Sequence, residues 1–347
     1  MSQTVYHTAD GAELVVPLIE ATTLLDAAEQ AGYGLQCLCR HGSCGVCRAR
    51  LVEGEVHLGE HTVDALSDAD EAAGWVLLCC GQALGEVRID LPYDNSRVLT
   101  AAVPTRQVRL SEIDHWPGGI VRLVVKALDD PELGSAIQFD AGQFAELTPP
   151  GSTRSRAYSF ASIANWDGTA EFYVKLRDGG YFSAYVRDQA QIGDILSLRG
   201  PQGTFGLREN GSRPRWMVCG GTGLAPIMSM LRRMAEWGET QETLLVLGVN
   251  TPGEVYATEA MAKLRQALPN LRTLVSVVTP DAAWTGPVGN AVEIMNAELD
   301  ARTAAAQADA PDIYLCGPPA FLNAARAGAV NRGVPDEQIY EERIVVN

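Results

Sequence analysis

The cysteine-rich stretch C-L-C-R-H-G-S-C-G-V-C, residues 37 to 47, constrains this chain more than any other feature. It sets Cys39, Cys44 and Cys47 in the spacing C-x4-C-x2-C, which wraps a tight loop around one edge of a plant-type [2Fe-2S] cluster and needs a fourth thiolate from farther along. Cys79 and Cys80 are both available. Cys79 leaves 31 residues after Cys47, the better fit to the usual plant-type separation, although Cys80 stays open. Thiolates also select zinc and copper(I), so spacing and not ligand type has to decide. A structural zinc site draws two short C-x2-C knuckles together, whereas here one close triplet meets a distant adjacent pair, which favours iron-sulfur. Gly42, Gly45 and Ser43 let the backbone approach and turn N-H groups toward the sulfurs. Cys37 would need C-x6-C, and is expected to be a small buried residue outside the ligand set.

A chain of 347 residues has length for two or three domains with separate cores. Its net charge of -16 argues against nucleic acid and against anionic membrane as partners. The acidity is concentrated: residues 1 to 100 carry 15 Asp or Glu against 5 Arg and no Lys, a balance of -10. That third is either a docking face for a basic partner or a solvated surface. The clustered cysteines suit metal binding in a reducing compartment. The first 39 residues hold no Lys or Arg, unlike a secretory or transit signal, and no apolar run is long enough to span a bilayer, so a cytoplasmic location is expected.

In chain order, extended stretches at 3–8 and 13–19 flank Asp10-Gly11, a hairpin signal. Thr22 or Thr23 can cap a helix running to Gln30 that Gly32 can end. After the cysteine loop come a strand over 47–53, a short acidic helix near 67–73, a strand over 75–79 and a closing strand over 86–91. A small mixed sheet with one helix fits a β-grasp ferredoxin domain, residues 1–96. Residues 92–104 read as a linker. Short strands at 105–110, 120–126, 143–148, 157–160, 170–176 and 195–198 then predict an antiparallel six-stranded barrel, residues 103–208. From Arg215 apolar strands alternate with helices at 226–236, 257–267, 288–297 and 319–331, which predicts a Rossmann-like parallel sheet over 213–347. The fold class is thus multidomain, α+β followed by α/β. An Ala-rich stretch at 301–310 reads as a surface loop or helix end.

Two further motif groups carry chemistry. In R-A-Y-S, Arg156 can hold a flavin phosphate with its guanidinium fork, Tyr158 can lie against the isoalloxazine ring and Ser159 can reach flavin N5. Alone, these four residues fit equally an exposed strand with one aromatic turned inward. G-G-Y-F-S supports the flavin reading: Gly179 and Gly180 precede a helix beginning near Ser183, and free N-H groups there favour a pyrophosphate such as that of FAD. Farther on, strand, glycine turn and helix follow one another through G-G-T-G-L-A-P. Gly220, Gly221 and Gly223 allow close backbone approach to a nicotinamide dinucleotide and Thr222 can donate to it, although the motif is not G-x-G-x-x-G. The turn G-V-N-T after the next strand offers no Arg or Lys for a 2'-phosphate, which favours NADH. Cys316, Gly317 and Pro318 end a strand at the carboxyl edge, where ligands collect in open α/β sheets. Cys316 is either set against the reacting nicotinamide carbon, making it and Ser159 the catalytic candidates, or a small core residue before a turn, the role expected of Cys219.

Taken with L-L-C at 77–79, L-P-Y at 91–93, G-Q-F at 142–144, F-G-L at 205–207 and Y-L-C-G-P-P, these motifs resemble, end to end, the ferredoxin-NADP reductase superfamily with an N-terminal ferredoxin domain. The likeness is greatest to reductase components of soluble methane monooxygenase and related bacterial di-iron monooxygenases. It implies Cys39, Cys44, Cys47 and Cys79 as cluster ligands, and Arg156, Tyr158 and Ser159 as flavin contacts. It also implies electron flow from NADH through FAD and [2Fe-2S] to a di-iron hydroxylase. In one departure, Ile344 stands where relatives often carry an aromatic. The rival readings are a reductase serving a Rieske-type aromatic dioxygenase and, in another class, a flavin and iron-sulfur redox sensor.

Overall fold

The computed structural model describes residues 3–100, 103–305 and 309–344, and the chain divides into two compact units that meet at Pro104 and Thr105. In the first unit, β1 (Gln3–His7) and β2 (Glu13–Pro17) form the hairpin expected around Asp10-Gly11, with Gly11 at φ 85. Helix α1 (Leu24–Gln30) starts where Thr23 accepts the Asp26 N-H, and buries Leu24, Leu25, Ala27 and Ala28. There follow β3 (Arg48–Glu53), β4 (Val56–Leu58), α2 (Asp68–Ala72, capped by Ser67), β5 (Trp75–Leu77), β6 (Gly81–Ala83) and β7 (Val87–Asp90). Their sheet runs β2-β1-β7-β3-β5, with β1 and β7 parallel and the other pairs antiparallel. This is the expected mixed sheet with one helix against its core. The small β4-β6 ladder was not foreseen, because three-residue segments carry too little periodicity.

Part of the expected linker belongs to this unit. Tyr93 and Val98 are buried in its core, Leu99 bridges Gly34, and the Gln36 N-H donates to the Tyr93 hydroxyl at 3.2 Å. Proline and polar residues around them mask these anchors in the sequence.

The second unit begins with β8 (Thr105–Trp116), β9 (Ile120–Ala127), β10 (Phe144–Thr148), β11 (Arg156–Ser159), β12 (Thr169–Lys175), α3 (Tyr181–Asp188) and β13 (Ile195–Gln202). The six strands are antiparallel in the order β11-β10-β13-β8-β9-β12. A bridge between Phe160 and Phe172 joins the two ends, so the sheet closes into a barrel. Phe139 stacks on Phe160 with centroids 3.8 Å apart, and Phe172 packs beside them at 5.0 Å.

The remaining elements are β14 (Arg215–Gly220), α4 (Leu224–Trp237), β15 (Thr243–Val249), α5 (Thr258–Ala267), β16 (Leu271–Val277), α6 (Ala291–Ala304), β17 (Asp312–Gly317), α7 (Pro319–Val330) and β18 (Ile339–Arg343). The strands are all parallel in the order β16-β15-β14-β17-β18, with α4 and α5 in the core on one face and α6 and α7 in the core on the other. The edge strand β18 escaped the sequence reading because I-Y-E-E-R is half polar, unlike the continuous apolar runs of central strands. Of the Ala-rich stretch, α6 takes residues up to Ala304, and 306–308 lie outside the described residues. Chain order reverses between β14 and β17, the switch point at which open α/β sheets form a ligand crevice. Helix α4 ties this sheet to the barrel: Ser229 donates to the Ser162 carbonyl at 2.5 Å, and Arg232 donates to the Ala161 carbonyl at 2.8 Å and to Glu171 at 3.0 Å. Among the described residues no helix is long and apolar enough to cross a membrane.

Phe172 is fully buried at the barrel's closure. A Phe172→Ala variant is expected to lose about 3 to 5 kcal/mol of local stability, read as faster amide hydrogen exchange along β9 and β12; unchanged exchange there would contradict this account of closure.

Candidate functional site

The cysteine loop hangs between α1 and β3, and strand pairing delivers the distant thiols to it. Arg48 pairs with Leu77 across β3 and β5, and the Leu78 N-H donates to the Cys47 carbonyl at 3.1 Å, which sets Cys79 beside Cys47. Inside the loop Arg40, Gly42 and Gly45 have φ of 61, 73 and 70. A Cβ on Gly42 would lie 2.7 Å from both the Glu60 carbonyl and His61 Cβ, so only glycine fits there. Arg40 is held in its left-handed conformation by ion pairs to Asp26 and Glu29. Backbone N-H groups point at sulfur, among them Ser43 to Cys39 Sγ at 3.3 Å and Val46 to Cys44 Sγ at 3.4 Å.

Six thiols crowd together. The Sγ atoms of Cys37, Cys47 and Cys79 lie within 4.8 Å of one another, and Cys39 reaches the group through Cys44 and Cys79. Cys37, Cys39, Cys47 and Cys80 all neighbour the Cys79 thiol and draw its pKa down. The Cys39 thiol draws Cys44 down to about 7. Cys80 joins the group through Cys79, its Sγ also facing the Leu77 carbonyl at 4.0 Å. Cys44, Cys47 and Cys79 are buried. Crowded, buried sulfur with N-H groups aimed at it fits a cationic iron-sulfur group. The tightest group thus holds Cys47 and Cys79 of the expected ligands together with Cys37, which the spacing had set aside, while Cys39 and Cys44 lie beside it.

On the barrel, Arg156, Tyr158 and Ser159 stand half-buried on β11. The Tyr158 ring packs on Phe182 with centroids 4.9 Å apart, and burial pushes its hydroxyl pKa up. Arg156 donates to the Ser155 carbonyl at 2.8 Å. Gly179 has φ 72, and Gly180 precedes α3 with no side-chain cap, leaving first-turn N-H groups for an anion. The helix begins at Tyr181, two residues before the expected start. Ser183 consequently lies inside the first turn, buried, where its hydroxyl accepts the Arg177 N-H at 3.0 Å and braces the turn after β12.

At the switch point a cavity of ≈ 370 Å³ opens between Gly220, Gly221 and Thr222 on one side and the barrel residues Lys175 and Arg177 on the other. The glycine turn is pressed on β17: a Cβ on Gly223 would stand 2.3 Å from the Cys316 carbonyl oxygen. Tyr256 also lines the cavity, and its hydroxyl donates to the Gly221 carbonyl at 2.8 Å. Its buried ring contacts Trp116 and Tyr173, each with centroids 5.8 Å away. Pro318 and Ile344 line the same space, and the Ile344 N-H donates to the Gly317 carbonyl at 2.9 Å. Cys316 is fully buried beside its strand partner Cys219, and burial raises its thiol pKa. After β15, Glu254 accepts from the Asn250 N-H at 3.0 Å and from its side-chain amide at 3.2 Å. Lys175, Arg177, Glu254 and Tyr256 were not foreseen. A basic pair two residues apart at a strand end was the one local signal, and it does not separate a ligand site from a solvated edge.

The chain matches three family models: the 2Fe-2S iron-sulfur cluster binding domain over residues 7–84, the oxidoreductase FAD-binding domain over 120–206 and the oxidoreductase NAD-binding domain over 217–327. It is 31% identical to the toluate 1,2-dioxygenase electron transfer component of Pseudomonas putida, covering 97% of each chain. It is 32% identical to methane monooxygenase component C of Methylosinus trichosporium, over 86% of this chain and 87% of that one. With the phenol 2-monooxygenase reductase component of a Pseudomonas species the identity is 30%, over 95% and 91%. Among solved structures, an Amycolatopsis cytochrome P450 reductase shares the fold with TM-score 0.77 at 24% identity, covering 98% of each chain. The ferredoxin reductase in carbazole 1,9a-dioxygenase does so with TM-score 0.75, also at 24% identity, covering 99% of this chain and 98% of that one. Converging thiols, a flavin-type barrel and a dinucleotide crevice in one continuous match place this chain in the family of iron-sulfur flavoprotein reductase components of bacterial oxygenases, oxidoreductases with [2Fe-2S], FAD and NAD domains.

Proposed function

We propose that this reductase draws electrons from NADH and delivers them to the di-iron hydroxylase of a multicomponent monooxygenase in the cytoplasm. The observation that supports the electron route is the cavity walled jointly by the glycine turn and, on the barrel side, by Ile120, Lys175 and Arg177, where a bound nicotinamide would meet the barrel. When bound, FAD supplies the conversion of one hydride pair into single electrons that a [2Fe-2S] cluster accepts. Domain limits of 1–96, 103–208 and 213–347 go with this reading. A di-iron partner is favoured over a Rieske oxygenase by the methane and phenol monooxygenase relatives, against which stands the toluate dioxygenase relative. Turnover of NADH with each purified oxygenase decides: product formed only with a Rieske oxygenase would overturn the proposal.

In this reading Cys39, Cys44, Cys47 and Cys79 hold the cluster, and the Ser43 and Val46 N-H groups stabilise sulfur charge. Arg156 and the first turn of α3, entered through Gly179 and Gly180, hold flavin phosphates, with Ser183 bracing that turn. Tyr158 offers its face to the ring and Ser159 a hydroxyl to its N5 edge. The turn Gly220 to Gly223, with Gly317 and Pro318, receives the dinucleotide, and the Cys316 backbone supports that turn from below. Glu254 places a carboxylate at the turn after β15, and like charge there rejects a 2'-phosphate, so NADH is preferred to NADPH. Tyr256 fixes the peptide between Gly221 and Thr222. In a planar trans peptide the Thr222 N-H points opposite to the held carbonyl, so the hydroxyl decides where that donor aims. The free cysteines suit a reducing compartment.

Three variants test these roles. Cys44→Ser should keep NADH-dependent reduction of a dye that accepts from flavin, within about twofold, and lose about 100-fold or more in electron delivery to the oxygenase, since cluster ligation is lost. Arg156→Ala should weaken FAD retention by roughly tenfold, the worth of one charge-assisted phosphate contact; a variant purified fully yellow would refute the contact. Tyr256→Phe should raise KM for NADH about fivefold with kcat and FAD content unchanged, as expected for one hydrogen bond; an unchanged KM would remove Tyr256 from dinucleotide binding.

A further inference from the structure

We infer that Cys37 is a further thiol of the cluster site, able to replace Cys39 as an iron ligand. The inference rests on the loop's assignment as a [2Fe-2S] site. Cys37 Sγ lies within 4.8 Å of both Cys47 and Cys79 Sγ, two members of the ligand set. Cys39 borders Cys79 as well, so the two cysteines flank one shared thiol. They differ in what holds them. Cys37 packs against the unit's hydrophobic core, which Cys39 does not join. Its entry is fixed by the Gly34 N-H donating to the Leu99 carbonyl at 2.6 Å, the Leu99 N-H donating back at 3.0 Å, and the Gln36 N-H on the Tyr93 hydroxyl. Cys39 instead lies on the loop itself, next to Arg40 at φ 61, with its Sγ accepting the Ser43 N-H at 3.3 Å. Loss of the Cys39 sulfur therefore leaves a second thiol already at the iron site and anchored from the core side. The exchange balances without electron transfer: Cys37 gives its proton to water, and its thiolate fills the coordination position that Cys39 vacates.

The test compares iron and acid-labile sulfide per chain, with electron paramagnetic resonance of the reduced protein, across wild type, Cys37→Ser, Cys39→Ser and the double variant. Wild type and Cys37→Ser should each hold about two irons and two sulfides with matching spectra. Cys39→Ser should keep more than roughly half the iron with a shifted spectrum, and the double variant less than about a tenth, because one thiolate is restored in the first and none in the second. A Cys39→Ser protein as empty as the double variant overturns the inference, and so does a Cys37→Ser protein that is empty by itself. As a check that does not require cluster assembly, iron-free Cys39→Ser is titrated with cobalt(II). Thiolate-to-cobalt charge-transfer bands that weaken by about one thiolate's share in the double variant support the inference, and equal bands in both overturn it. A wild-type chain without iron would instead defeat the cluster assignment itself, a separate result.

Discussion

The grip of α4 on the barrel is the constraint on which the hydride step depends. That helix starts at the dinucleotide turn and, over its next two turns, sends Ser229 and Arg232 to the carbonyls of Ser162 and Ala161, just beyond the strand that carries Arg156, Tyr158 and Ser159. Glu171 sits nearly buried between Arg232 and Arg122, each at 3.0 Å. A buried carboxylate left with one partner is costly, so the pair of guanidinium groups makes the spacing between turn and flavin strand hard to change. Small displacements cost transfer rate steeply, and a rigid strut between the two binding elements limits them.

The cysteine site obeys a different economy. Burial of several thiols side by side penalises extra negative charge, which pushes Cys37, Cys39, Cys47 and Cys80 up while Cys79 and Cys44 are drawn down beside them. Such a constellation favours a cationic group, and N-H donors from Ser43 and Val46 supply the remaining compensation. The acidity of the first hundred residues lies around this site in sequence, where a basic partner surface would be attracted.

Much of the fold was legible because its signals are local. Alternation of apolar strands and helices after Arg215 marks a parallel sheet, and turn residues between short strands mark the barrel. What escaped was polar, short or long-range. Strand β18 lies at an edge and reads as half polar, β4 and β6 have three residues each, and Tyr93, Val98 and Leu99 dock back through contacts with residues far away in sequence. Helix α3 begins earlier than Ser183 because Phe182 is drawn into the barrel core.

The sequence by itself determined the cofactors, since the spacing of Cys39, Cys44 and Cys47, the R-A-Y-S strand and the glycine turn are each set within a dozen residues by backbone geometry. Only the tertiary structure decided which groups meet around them. It brought Cys37 to Cys47 and Cys79, joined Lys175 and Arg177 to the cavity at the glycine turn, and set the Tyr256 hydroxyl on Gly221. Those partners come from separate strands and loops, and their approach is fixed by sheet register and helix packing, which no short stretch of residues encodes.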